Sequence, residues 1–398
     1  MSKLRARAAI AALDRLPATR DLIRVERPTA PVTCLRPHVV ADAARRFVAG
    51  FPGETMYAVK CNPDPTALRA VWAGGVRVFD CASLPEIELV RDLLPSGATV
   101  RFMHPVKSRP AIRAAWTRHG VRTFVLDHAS ELAKIVEETG AGAGDGLMLV
   151  VRIAPPASGA VYDLSGKFGA TLDDAASLLR AARPHASVLG VSFHVGSQCL
   201  DPLAWSRAIA AAGAAIRASG VAVEVLDVGG GFPVAYPDVT PPPLGAFFAA
   251  IEGAVDDLDL PSRPRLWAEP GRALVAGGAS VVVQVQQRRG EALYVNDGVY
   301  GSLSDAGGPG FRFPAQLIRA AATEFGTTEM RGFVLFGPTC DSADMMRGPF
   351  VLPDDVAEGD WIEIGQLGAY GACLATRFNG FDASRTVLVR DPPMLPAA

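Results

Sequence analysis

The chain has 398 residues, 49% of them hydrophobic and 20% charged, a balance that excludes a largely disordered protein and leaves room for about two domains. Its 39 basic and 41 acidic residues leave a formal charge of -2, which excludes the strongly basic surface that nucleic-acid binding needs.

The basic start, MSKLRARAAIAALDRL, is interrupted by Asp14 and Arg15 before it reaches signal-peptide length, and no apolar run approaches the roughly 18 residues of a membrane span. A cytoplasmic protein is expected. Arg20–Val25 reads as a strand-like fragment, so residues 1–34 are expected to join a C-terminal sheet. Between residues 54 and 271, short apolar runs alternate with longer Ala/Leu/Arg stretches of helical character. Eight such runs are strand candidates: Glu54–Lys60, Arg77–Ala82, Ala98–Pro105, Arg122–Asp127, Leu147–Ala154, Val188–Gly196, Val223–Gly230 and Arg265–Gly271. Eight parallel strands fit an α/β fold, a (β/α)8 TIM-like barrel over residues 35–272, with its active site at the C-terminal strand ends. The rival, an open doubly wound sheet, lacks a Gly-x-Gly-x-x-Gly turn at its first helix. From residue 273 to 398 the rhythm becomes strand-like, at Ser280–Gln287, Ala292–Asp297, Gly332–Phe336, Trp361–Gly365 and Thr386–Arg390, with a short helix read at Pro314–Thr323. A β-sandwich or β-barrel domain is expected there.

The six cysteines form no CxxC pair, so neither a disulfide framework nor a structural zinc site is suggested, and no metal is expected. Lys60 closes the apolar run MYAVK. A lysine there either snorkels to solvent or, with its solvation lowered at a barrel mouth, serves as a nucleophile toward an aldehyde. LDVGGGFP follows a strand with three glycines, whose bare backbone either makes a tight loop or converges N–H groups on an anion such as phosphate. Glu269 and Arg272 in AEPGR are a local ion pair or serve a ring nitrogen and a phosphate of one ligand. His194 in VSFHVGSQ, read as the end of a strand, is a core histidine or stacks on a flat ring beside Ser197. Together these groups describe a site for pyridoxal phosphate (PLP).

In this order, YAVKCNPDP, FDCASLPEIELV, HPVKS, SFHVGSQ, LDVGGGFP, AEPGR, YVNDGVYGS, GPTCDSAD and LGAYGACLATRFNGF resemble the ornithine/diaminopimelate/arginine decarboxylases of the alanine-racemase fold. The resemblance spans residues 35 to 385. It implies that Lys60 carries the cofactor covalently, that His194 stacks on its ring and that Glu269 pairs with the ring nitrogen. It further implies that Ser197, Gly230, Gly231, Arg272 and Tyr370 hold the phosphate, with Asp80 and Arg152 lining the pocket. Cys340 and Asp341 would reach the site from a second subunit, making a homodimer with shared active sites, where Cys340 returns a proton to substrate and Asp341 binds its distal ammonium.

The Cys-Asp pair at 340–341 and RFNGF, which contains Phe378, favour a basic substrate over diaminopimelate, with ornithine the first choice and putrescine its product. Where ornithine decarboxylases of the animal type follow YGS with bulky residues and an acid, this chain has LSDAGGPG, so Tyr300 and Asp305 are the nearby substrate-binding candidates. Lysine, diaminopimelate and a carboxynorspermidine-type substrate stay open. A non-catalytic, antizyme-inhibitor-like regulator would lack Lys60 or the Cys-Asp pair. An alanine racemase would place a tyrosine where GPTCDS offers a thiol.

Overall fold

The computed structural model describes residues 15–156, 160, 166–319 and 329–395. These fall into two compact units. One holds residues 41–233 and 241–273, and the other holds the described residues up to 40, the short excursion 234–240 and those from 274 onward.

The first strand, β1 (Val32–Leu35), belongs to the second unit. The next eight close a parallel barrel in chain order: β2 (Glu54–Ala58), β3 (Val78–Cys81), β4 (Thr99–Phe102), β5 (Thr123–Leu126), β6 (Met148–Arg152), β7 (Val188–Ser192), β8 (Val225–Asp227) and β9 (Arg265–Ala268). Early βα turns repeat one device. Asp64, Ser83 and Ser108 cap the helices Pro65–Ala73, Leu84–Leu93 and Arg109–Thr117, each accepting hydrogen bonds from free backbone N–H groups, and each helix has proline in its first turn. Punctuation in the segments CNPDP, ASLPE and KSRP thus fixes where each helix begins.

Met56, Val78, Met103, Val125, Val150, Val225 and Trp267 fill the barrel interior. Below them Arg101 lays its guanidinium 3.4 Å from the centre of the Trp267 ring and pairs with Glu54, a charged group kept soluble inside the core by an aromatic face and a carboxylate. Side chains on a strand return to the same face every second residue. Two residues beyond Val78, Val125, Val150, Val225 and Trp267 stand Asp80, Asp127, Arg152, Asp227 and Glu269, so the layer above the apolar core is ionisable.

The second unit is a mixed sheet. Its strands are β10 (Ala279–Arg289), β11 (Ala292–Val295), β12 (Ala315–Ile318), β13 (Met330–Phe336), β14 (Met345–Pro353), β15 (Trp361–Ile364) and β16 (Arg385–Leu388). The order is β12-β15-β10-β11-β13-β14, and β1 pairs antiparallel with β10 and parallel with β16. Arg36, after β1, is buried against Glu363 of β15 at 2.6 Å, and Ser280 Oγ donates to the same carboxylate oxygen at 2.6 Å. That network secures the N-terminal segment to the sheet.

Three expectations are corrected. Arg20–Val25 is not a strand but part of an α-helix, Thr19–Glu26, whose buried Thr19 and Ile23 lie one turn apart and whose Ile23 joins the cluster of Val32, Val282 and Trp361. Ala315–Ile318 is strand β12, paired with β15, rather than helix, and residues 320–323 lie outside the described residues. The strand bearing VSFHVGSQ stops at Ser192, so His194 lies on the loop beyond it. Among the described residues no helix is long and apolar enough to cross a membrane.

Candidate active site

At the C-terminal mouth of the barrel, Lys60 sits on the 3₁₀ turn Val59–Cys61 directly after β2, not on the strand itself. Its side chain is 45% exposed while its Nζ stands 3.5 Å from the buried carboxylate of Asp80 on β3. The ammonium is therefore accessible to a reactant and lies beside the Asp80 carboxylate. Arg152, at the end of β6, lies 5.8 Å from the Phe168 ring, whose edge meets His104 at 5.2 Å.

His194 follows β7, where the Gly196 N–H donates to its Nδ1 at 2.9 Å. Burial, followed by the positive charges of Arg152 and Lys60, drives its pKa well below the usual histidine value. With Nδ1 accepting, a neutral ring carries its proton on Nε2. The loop after β8 touches the same place. A Cβ at Gly230 would come within 2.6 Å of the Glu269 carbonyl oxygen and 3.1 Å of His194 Nε2. At Gly229 and Gly231 it would meet the carbonyls of Phe193 and Gly196 at 2.1 and 2.3 Å, and both have positive φ, +66° and +99°. Only glycine lets this backbone lie against the His194 loop. Ser197 is half-buried on that loop, and Arg272 is buried after the Pro270–Gly271 turn.

Glu269 follows β9 and is partly open to the mouth. Its desolvation, reinforced by Asp227 and Asp80, holds its carboxyl well above the ordinary range against the opposing pull of Lys60 and Arg152. Asp227 was not singled out from the sequence, where LDVGGGFP drew notice only for its glycines. The two-residue spacing from Val225 is the signal that finds it, and it likewise finds Asp127, whose Oδ2 accepts from Gly169 N–H at 2.9 Å. An aldehyde-bearing phosphorylated ring fits this donor set. There is an accessible lysine, a neutral flat imidazole, a bare glycine backbone beside a serine and a buried arginine, and a carboxyl of raised proton affinity.

The sheet unit gathers the other candidates. Tyr300 hydroxyl donates to Asp341, and its ring centre is 4.8 Å from that of Phe378. The Ala343 N–H and then the Tyr300 hydroxyl lower the Asp341 pKa, which keeps this carboxylate ionised. Cys340 is exposed and lines, with Tyr294, Phe336, Asp341 and Phe381, a cavity of about 550 Å³. Buried Asp344 supports the loops beneath, accepting from Val299 N–H at 2.8 Å and Thr339 Oγ1 at 2.7 Å. Asp297 does the same for Gly298 and Ser302 N–H at 2.8 and 3.0 Å. Neither acid was anticipated. Tyr370 is half-buried, with φ +53°. Asp305 is buried, 5% exposed, on the turn Ser304–Ala306.

Residues 38–276 match the model of the pyridoxal-dependent decarboxylases, specifically their pyridoxal binding domain. The chain belongs to this family. It is 35% identical to ornithine decarboxylase of Schizosaccharomyces pombe over 84% of this chain and 77% of that protein. It is 33% identical to the lysine/ornithine decarboxylase of Selenomonas ruminantium over 85% and 84%. The arginine decarboxylase of Paramecium bursaria Chlorella virus has the same fold, with a TM-score of 0.81 and 29% identity over 93% of this chain and 98% of that one. The chain described here is therefore a PLP-dependent amino-acid decarboxylase.

Proposed function

We propose that this decarboxylase converts L-ornithine to putrescine. The observation that carries the choice is the Tyr300–Asp341 pair beside Cys340, an ionised carboxylate suited to a distal ammonium next to a thiol suited to proton delivery. Lysine is one methylene longer, and such a difference in a pocket is worth only about 1–3 kcal/mol, which makes it the second reading.

In this assignment Lys60 holds the cofactor covalently, and Asp80 orients the lysine. The neutral His194 ring lies against the cofactor ring, and Glu269 holds the ring nitrogen. The bound cofactor supplies a protonated ring that accepts the electron pair left when carbon dioxide departs. Ser197, Gly230, Gly231, Arg272 and Tyr370 hold the phosphate, and Arg152 adds positive charge at the mouth. Cys340 then gives its proton to the α-carbon, and Asp341, with Tyr300 and Phe378 around it, sets the distance to the far amine. Buried Asp305 is assigned a lesser part in setting pocket depth. Cys340 and Asp341 act in the site of a second copy of the chain, an arrangement supported by the exposure of Cys340, of Phe381 in the same cavity, and of Leu374 and Phe378 on the same unit.

The test is carbon dioxide release by PLP-loaded protein from ornithine, lysine, arginine, diaminopimelate and carboxynorspermidine. Ornithine is expected to give the highest kcat/KM, and Lys60→Ala to abolish turnover and the cofactor's visible absorbance together. A higher kcat/KM for any other member of the panel would replace the substrate assignment.

A further inference from the structure

We propose that Asp227 is a positioning residue for the cofactor face of the barrel, shaping the triple-glycine loop with one carboxylate oxygen and placing its negative charge behind Glu269. The proposal rests on the reading of Glu269 as the partner of the cofactor's ring nitrogen.

Asp227 is the last residue of β8 and is wholly buried. Its Oδ1 accepts from the Gly229 N–H at 2.9 Å, bracing the left-handed turn that starts the loop. The Gly229 carbonyl in turn accepts from the Glu269 N–H at 2.8 Å. One carboxylate thus ties together the phosphate-loop candidate and the backbone of Glu269. Because Gly230 packs against both the Glu269 carbonyl and His194, a shift of the loop would move all three groups.

Bracing alone does not require an acid, since asparagine offers the same acceptor in the same shape. What asparagine lacks is the capacity to carry a negative charge, a charge that burial makes costly here. Among the described residues Asp227 Oδ2 is buried with no N–H donor, and the Asp227 carboxylate shares a hydrogen bond with the Glu269 carboxyl, while burial disfavours the ionised form. The charged groups that act on it are Glu269 just after β9, Asp80 on β3 and Arg101 on β4, and of these Arg101 is positive. Burial raises the Asp227 pKa to about 6, within reach of ionisation at neutral pH, and Asp227 in turn raises that of Glu269. Negative charge behind Glu269 increases the affinity of that carboxylate for a proton-bearing ring nitrogen.

The experiment compares Asp227→Asn and Asp227→Ala with the parent protein, each loaded with pyridoxal phosphate. Three quantities are read: cofactor affinity by equilibrium dialysis, the pH midpoint of the bound cofactor's absorbance, and kcat and KM for ornithine. Asp227→Asn should hold cofactor within about twofold of the parent, shift the absorbance midpoint, and lower kcat about tenfold at unchanged KM. Asp227→Ala should in addition weaken cofactor binding more than about tenfold, as the loop loses its brace. If Asp227→Ala does not fold, Asp227→Asn alone decides the matter. An Asn variant identical to the parent in absorbance midpoint and kcat overturns the proposal and leaves the assignment of Glu269 standing. A parent protein that takes up no pyridoxal phosphate overturns that assignment and the proposal with it.

Discussion

Lys107 carries its ammonium into the interior, fully shielded, where Nζ stands 2.9 Å from Glu131 Oε1 and donates to the carbonyls of His104 and Val125 at 2.9 and 2.6 Å. With the Pro105 carbonyl also at 3.5 Å, these acceptors satisfy its three donors, so the charge is tolerated at the junction of β4 and β5. Burial still outweighs the attraction of Glu131 and lowers the pKa from 10.5 to about 8. Between those values the unfolded chain binds the proton more tightly than the folded one, so stability rises with pH across this window and the full cost is borne below pH 8. Comparing denaturant unfolding of the parent with Lys107→Met isolates this group. The difference should move in the parent's favour by no more than about 3 kcal/mol between pH 7 and pH 10.5, and a difference flat in pH would contradict the shift. Nothing in HPVKS marks this lysine as buried, because its partner Glu131 is 24 residues away on the helix Ala129–Thr139.

The strand–loop–helix units of the barrel were legible because each strand is a short apolar run with a polar residue within two positions of its end, and early helices are capped by Asp or Ser with proline in the first turn. Other elements hid for physical reasons. β14 contains Arg347, Gly348 and Pro349, which break any apolar run, yet it pairs with β13 along most of its length. The helix Thr19–Glu26 has too few turns for its period to stand out, and its identity is set by the partners of Thr19 and Ile23, including Asp391 at 2.7 Å from Thr19 Oγ1. The glycines of the site announced themselves, whereas Asp227, Asp297 and Asp344 act on backbone N–H groups that only the folded chain brings to them. The loop after β8 gives the test at this scale. Gly229→Ala would set a methyl against a backbone carbonyl at φ +66°, a clash that no side-chain movement relieves. It should cost about 2–4 kcal/mol in thermal or denaturant unfolding and abolish PLP retention on dialysis. Gly245→Ala, in the helix Leu244–Asp256 with nothing near its added carbon, should be neutral or stabilise by up to about 1 kcal/mol and retain cofactor. Cofactor retained by the Gly229 variant would remove the loop from the site.

At the scale of the whole molecule, the proposed catalytic groups are divided between two compact units, Lys60, His194 and Glu269 in the barrel and Cys340 and Asp341 in the sheet. The sheet unit presents its thiol at the surface in a cavity that Phe381 also lines, and Phe381, Phe378 and Leu374 are 50%, 42% and 43% exposed. An apolar patch around a reactive group is costly in water and is relieved by a second copy, and a two-fold dimer would bury the patch twice while forming two equivalent sites. Complementation separates this arrangement from one in which each chain works alone. Lys60→Ala and Cys340→Ala are each expected to be nearly inactive. Mixed in equal amounts and allowed to exchange, half of the dimers would pair one variant with the other. Each such dimer would hold one site with both Lys60 and Cys340 intact, so activity should return to about a quarter of the parent's. Exchange followed by subunit labelling, with no activity regained, would assign Lys60 and Cys340 of one site to the same chain.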